Sequence, residues 1–137
     1  MIKEIVKDHF LLSQKATPAT KLDAYIIQDL KDTLTYHRSN CVGMAANMIG
    51  YSKRILIFDD RKAYTIMINP VILKHSDTYY MTQEGCLSHS GVKEVKRYHK
   101  IKVQYEDENF KMKIKTYEGF VAQIIQHEMD HFEGILI

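Results

Sequence analysis

Cysteine, proline and glycine are all scarce in this chain: two, two and six of 137 residues. Two cysteines, Cys41 and Cys86, cannot build the multi-bridge framework of a small secreted protein, and no Pro- or Gly-rich stretch marks a linker or low-complexity segment. No internal repeat is visible either, so one domain over residues 1–137 is expected, with 45% hydrophobic residues to fill one core. A block of one charge sign is also missing. Lys and Arg are dispersed and the net charge is +2, which argues against nucleic acid as a ligand. Nor does the chain open on a long apolar run, because Lys3, Glu4, Lys7 and Asp8 interrupt the residues from Met1 to Phe10. That excludes a signal peptide or membrane span there and makes the cytoplasm the expected location. In a reducing compartment a Cys41–Cys86 disulfide is not expected, which leaves both thiols open to metal or catalytic chemistry.

What is present is concentrated near the C-terminus, in Gln126-His127-Glu128-Met129-Asp130-His131. It contains H-E-x-x-H, which on a helix sets two imidazoles one turn apart on one face with a carboxylate beside them. Such an arrangement suits a divalent metal and a general base next to its water. The pattern is short and arises by chance, so its position matters more. Only six residues follow His131, too few to supply the downstream third ligand of thermolysin-like or metzincin-like proteases. A third protein ligand is therefore expected upstream.

In chain order, Thr17-Pro18 reads as a helix start, with Leu22, Ile26, Ile27, Leu30 and Leu34 recurring at helical spacing on its apolar face. His37, at the end of this helix, is expected in solvent. The uncharged, small-residue run from Cys41 to Gly50 suits either a cleft wall or a tightly packed buried turn. From Arg54 onward the pattern is that of strands. Arg54–Phe58 and Tyr64–Ile68 form an expected hairpin, Asn69-Pro70 interrupts, and short strands follow over Val71–Lys74, Thr78–Thr82, Val92–Tyr98 and Ile101–Tyr105. Phe110, Met112 and Ile114 then alternate with Lys111, Lys113 and Lys115, which predicts a strand whose lysines form the solvated face. Gln83 to Ser88 reads as a turn-like break presenting Cys86, the better-placed soft donor for a third ligand. His9, His37, His75, His89 and His99 are each flanked by polar or charged residues and read as surface side chains.

On a helical wheel at about 100° per residue, Phe120, Gln123, Ile124, His127 and His131 share one arc with Glu128 at its edge, and Val121, Ile125, Met129 and Phe132 form a second, apolar arc. Both arcs call for burial, which places this helix in the middle of the molecule with strands around it. Gly134 is its expected stop.

The chain resembles the peptide deformylases, known by G-x-G-x-A-A-x-Q, E-G-C-L-S and Q-H-E-x-D-H segments in that order. They stand here as Cys41-Val42-Gly43-Met44-Ala45-Ala46-Asn47-Met48, Glu84-Gly85-Cys86-Leu87-Ser88 and Gln126-His127-Glu128-Met129-Asp130-His131. The fold expected is α+β: short antiparallel strands around a central C-terminal helix, with an amphipathic helix near the N-terminus. The resemblance implies one divalent metal, Fe²⁺ with Zn²⁺ or Ni²⁺ as substitutes, held by Cys86, His127 and His131. It implies Glu128 as general base in removing formyl groups from N-formylmethionyl peptides, with Leu87 and Gly43 also at catalytic positions and the Leu87 N–H on the oxyanion. Val42, Gly43, Met44, Met48, Gly85, Leu87, Gln123 and Ile124 would line the substrate site. Glu84, Arg97 and Asp130 would support the metal ligands, Glu84 by pairing with Arg97 and Asp130 by lying beside the histidines.

Cys41 replaces the first motif glycine, Met48 replaces the oxyanion glutamine and cannot donate a hydrogen bond, and His89-Ser90 replaces an apolar-Pro pair. Gln123 shares an arc with His127 and is a candidate stand-in for the missing amide. These departures leave three readings open: a peptide deformylase, a related hydrolase acting on another N-acyl group, and a metal-binding member without turnover. The expected partners are formylated peptide N-termini. Because the chain stops at Ile137, without the helical extension associated with ribosome docking, such docking is not expected.

Overall fold

The computed structural model describes residues 1–137. The longest helices are α2 (Tyr25–Tyr36) and α3 (Gly119–Phe132), preceded by a single turn, α1 (His9–Leu12). Seven strands are present: β1 (Gly43–Ala45), β2 (Ile55–Asp59), β3 (Tyr64–His75), β4 (Tyr79–Cys86), β5 (His89–Tyr98), β6 (Lys100–Glu106) and β7 (Met112–Glu118). Five form an antiparallel sheet in the order β1-β2-β3-β6-β7, and β4 and β5 form a separate hairpin. In β2, Ile55 to Phe58 is apolar without alternation because α2 and α3 both pack on it, and all four side chains are buried. This α+β arrangement around α3 is the fold the sequence predicts.

Several local expectations are corrected. The helix does not begin at Thr17-Pro18. Thr17 bridges to Lys53, the Ala19 N–H is held by Asn69 Oδ1 at 2.8 Å, and Thr20 caps a 3-10 turn over Lys21–Asp23. The Asp23 carboxylate accepts from the Thr20 N–H and the Thr20 hydroxyl accepts from the Leu22 N–H, a local alternative stronger than the Thr17-Pro18 signal. Leu22 consequently points outward, 88% exposed, while Ile26, Ile27, Leu30 and Leu34 are buried as expected. Asn69-Pro70 does not end a strand. The chain passes through a bulge between Ile68 and Val71, with Asn69 at φ 51°, and β3 continues to His75. Gln83 to Cys86 is likewise strand, the last half of β4, and only Leu87-Ser88 makes the turn.

The lysine strand is the reverse of its expectation. Lys113 and Lys115 stand opposite Tyr105 and Val103, which face the core, whereas Met112 and Ile114 stand opposite Glu106 and Gln104 on the outer face. As the edge strand, β7 extends past the core, so its lysines reach solvent from the inner side and Met112 and Ile114 remain exposed. The stop at Gly134 is as expected. Its φ is 74°, and a Cβ there would lie 2.2 Å from the Ser13 carbonyl oxygen.

Candidate active site

Helix α3 is fixed first by its own backbone neighbours. The Gln126 side chain accepts from the Tyr98 N–H at 2.8 Å and donates to the Tyr98 carbonyl at 2.9 Å, so one buried amide pairs with the end of β5 as a strand would. Asn47 adds a second tie, donating to the His131 carbonyl at 2.9 Å. In β4 the side chains alternate, with Glu84 buried and Cys86 half-buried on the inner face and Tyr79, Met81 and Gln83 exposed on the outer one. Strand periodicity thus delivers Glu84 and Cys86 to the same helix face that carries His127 and His131.

The three expected ligands meet. Cys86 Sγ lies 3.6 Å from His131 Nε2, which lies 3.2 Å from His127 Nε2, and the three donor atoms are within 4.8 Å of one another. His127 Nδ1 is 2.7 Å from Glu84 Oε1; a nitrogen facing a carboxylate carries the proton, so Nε2 is directed at the cluster. Glu84 is gripped in turn by Arg97, at 2.6 and 3.0 Å from Nη2 and Nε. Asp130 does not touch the histidines as expected. It is the third member of the ion network, accepting from Arg97 Nη1 at 2.7 Å, because its position on α3 turns it toward β5. The Gln123 amide is also committed, donating to Glu84 at 2.9 Å and accepting from the Tyr80 hydroxyl at 3.1 Å, so it is not free to replace a missing donor.

Charge and burial divide the titratable groups. Burial opposes ionisation of Glu84, but hydrogen bonds from His127 and Arg97 outweigh it and hold the carboxyl at about 2. Burial likewise acts against the His127 cation, yet hydrogen bonds to Cys86 and Glu84 lift it to about 10. For His131, burial and then the adjacent His127 charge act together and drive it down to about 3. Glu128 is buried, with Oε1 lacking any hydrogen-bond partner, and burial raises it to about 7 despite the opposing His127 charge.

A cleft of about 470 Å³ opens beside these groups. Val42, Gly43, Met48, Gly85, Leu87, Gln123 and Ile124 line it together with Cys86, His127 and Glu128. Met44 is the exception among the expected lining residues. Strand alternation in β1 turns it away from Gly43's side, and it is fully buried in the core. Gly43 is there because a Cβ would meet Ile124 at 2.6 Å and Glu128 Oε2 at 2.9 Å, so only glycine lets β1 come this close to the carboxylate. Met48 is 1% exposed, and its sulfur accepts from the Ala45 N–H at 3.5 Å. Cys41 donates to the Gly43 carbonyl at 3.0 Å; burial first, and then the Glu128 charge, push its thiol up to about 12, so it stays neutral.

Tyr80, Asn47 and the clamping role of Gln126 were not legible in the sequence, since each acts through a partner more than 25 residues away. His89 is half-buried rather than superficial, because the β4–β5 turn folds its Nε2 inward.

A thiol and two imidazoles converging beside a buried carboxylate, on a helix packed against antiparallel strands, define a metallohydrolase type of centre. A family model described as polypeptide deformylase matches residues 2–137. A peptide deformylase of Clostridium beijerinckii is 56% identical over 137 residues, all of both chains. Among solved structures, the peptide deformylase of Thermotoga maritima superposes with a TM-score of 0.90 at 30% identity, covering 99% of this chain and 95% of that one. A Met-Ala-Ser-bound class I type b peptide deformylase of Acinetobacter baumannii gives 0.89 at 30% identity, covering 99% and 97%. The chain belongs to the peptide deformylase family. None of its helices is long and apolar enough to cross a membrane.

Proposed function

We propose that the chain hydrolyses the formyl group from N-formylmethionyl peptide N-termini, using one divalent metal held by Cys86, His127 and His131. The donor set fits such an ion on its own terms. Ligands bound tetrahedrally at protein distances stand about 3.3–3.8 Å apart, close to the separations of 3.2 and 3.6 Å here. Two imidazole nitrogens directed at each other at 3.2 Å need a proton on one of them, or a metal cation in its place. We assign Fe²⁺ as the working ion, with Zn²⁺ or Ni²⁺ able to replace it, because a thiolate and two imidazoles accept all three.

When bound, the metal acidifies a water and polarises the formyl carbonyl. The protein's own groups do the rest. Glu128, desolvated to about 7, is poised to take a proton from the attacking water and to return it to the departing amine. The Leu87 N–H is assigned to the developing oxyanion, and Val42, Gly43, Gly85 and Ile124 to the cleft that receives the peptide. Glu84, Arg97 and Asp130 act by position, holding His127 with its Nε2 toward the metal. The observation that carries this reading is the buried Glu128 carboxylate, whose Oε1 makes no hydrogen bond and lies 3.8 Å from His131 Nε2, set beside the Cys86-His127-His131 cluster. Substrate of this kind arises at translation, so we place the activity in the cytoplasm.

Formate release from a formyl-Met dipeptide by protein loaded anaerobically with Fe²⁺ or Ni²⁺ tests it. Glu128→Ala is expected to lose about 10²–10⁴ in rate with the metal retained. Equal rates for the two proteins would sink the mechanism.

A further inference from the structure

A second cleft, of about 510 Å³, shares Leu87 with the active cavity but has different chemistry. Lys7, His9, His89 and Lys93 line it with Ser88 and Ser90, and no carboxylate side chain does. Lys7 and Lys93 make no ion pair. Lys93 donates one N–H to the Leu136 carbonyl at 2.5 Å, which leaves two of its three donors. The nearest acids in sequence are turned elsewhere. Asp8 accepts from the N–H groups of Phe10 and Leu11, and Glu94 lies on the opposite face of β5 from Lys93.

Two polar atoms of this wall are also unsatisfied. Ser88 is 1% exposed and its Oγ has no hydrogen-bond partner. His89 Nδ1 sits 3.2 Å from the Ser90 carbonyl, while its Nε2 is buried without a partner. Buried hydroxyls and imidazoles are normally paired, and here the available partner must also tolerate two unpaired ammonium groups. A metal cation is thereby disfavoured.

We infer that this cleft binds a small oxyanion, whose oxygens accept hydrogen bonds from the ammonium groups of Lys7 and Lys93 beside the Leu87-Ser88 turn. Two sources share that chemistry: phosphate, free or as a monoester, and a small carboxylate. The anion would brace the Leu87-Ser88 turn that follows Cys86. The inference does not depend on the reaction assigned to the active cavity, because its readout is binding.

Isothermal titration of the metal-loaded protein with inorganic phosphate, at ionic strength held constant with chloride, tests it. Saturable one-to-one binding is expected, weaker by roughly tenfold in Lys7→Gln and in Lys93→Gln, as for the loss of a charge-assisted hydrogen bond. Because the lysines lie outside the catalytic machinery, formate release measured without added anion should be unchanged in both variants. Formate that displaces phosphate identifies a carboxylate source, and phosphate that formate does not displace identifies a phosphate source; either result upholds the site. No saturable binding, or equal affinity in wild type and both lysine variants, overturns it.

Discussion

The cleft wall made by α3 and the β4–β5 hairpin is held by charge, whereas the opposite wall, from Cys41 to Met48, is held by contact. On the first wall Glu84 alone takes hydrogen bonds from Arg97, His127 and Gln123, and Arg97 extends the network to Asp130. On the second, the polar side chains facing the cleft are two sulfur groups: Cys41 is tied to a carbonyl and Met48 to an amide. A charged network fixes direction, which the proposed metal ligands would require. A packed glycine strand fixes distance, which in the proposed reaction would let a substrate and Glu128 meet.

The comparison can be broken most severely on the charged side. Arg97→Met leaves Glu84 and Asp130 without their partner, both drawn from a network that is largely buried. Metal affinity should fall about 10–100-fold and stability by about 3–5 kcal/mol, measurable by chelator competition and denaturant unfolding. Unchanged metal affinity would mean that Glu84 orients His127 without help.

Gly43→Ala tests the contact side. The added methyl has no room beside Ile124 and Glu128, and overpacking of this kind costs about 1–3 kcal/mol. Formate release should drop more than substrate binding, because the displaced group is the proposed base. A variant with wild-type kcat would show that β1 can retreat without moving Glu128.

Met48→Gln sharpens the contrast by placing a donor on the contact wall. The Ala45 N–H that now meets sulfur would hold the amide oxygen and direct the NH₂ toward the cleft. We expect kcat to rise by about tenfold or less, short of the 10²–10³ that removing a preorganised donor costs. A fall in kcat would place the oxyanion away from residue 48.

The smallest effect is one of acidity. Glu84 is lowered from 4.5 to about 2 in the folded protein, so its contribution is complete above pH 4.5 and is lost as pH falls toward 2. The difference in urea midpoint between wild type and Glu84→Gln should hold steady from pH 7 to about 5 and shrink below that. A difference independent of pH would assign Glu84 a steric role.

The motif residues on α3 were legible because the helix period carries positions 127, 128 and 131 to one face. Positions 84 and 86 lie on a strand that the sequence reads as a turn, so Cys86 was found through the missing third ligand and Glu84 through the family motif. Periodicity did not reveal which face of an element meets the core at an edge. Met112 and Ile114 satisfy the alternation of a buried strand and nevertheless face solvent, because they share the outer face of the sheet with Gln104 and Glu106. Met44 failed for the complementary reason, since a motif position is not a direction. Thr17-Pro18 carried a sound helix signal that the capping bonds of Asp23 to the Thr20 N–H and of Thr20 to the Leu22 N–H overrode.

The sequence by itself determined the family, the α+β class and a thiol and two imidazoles that could hold a metal, all of which depend on residue type and local spacing. Tertiary structure alone decided what each side chain was free to do. Asp130 went to Arg97 instead of a histidine, Gln123 was spent on Glu84 and Tyr80, and Ser88 and His89 were folded inward beside two unpaired lysines. The reason is physical: hydrogen bonds and charges are satisfied by whichever partner the packed chain brings within about 3 Å, and sequence separation does not limit that choice.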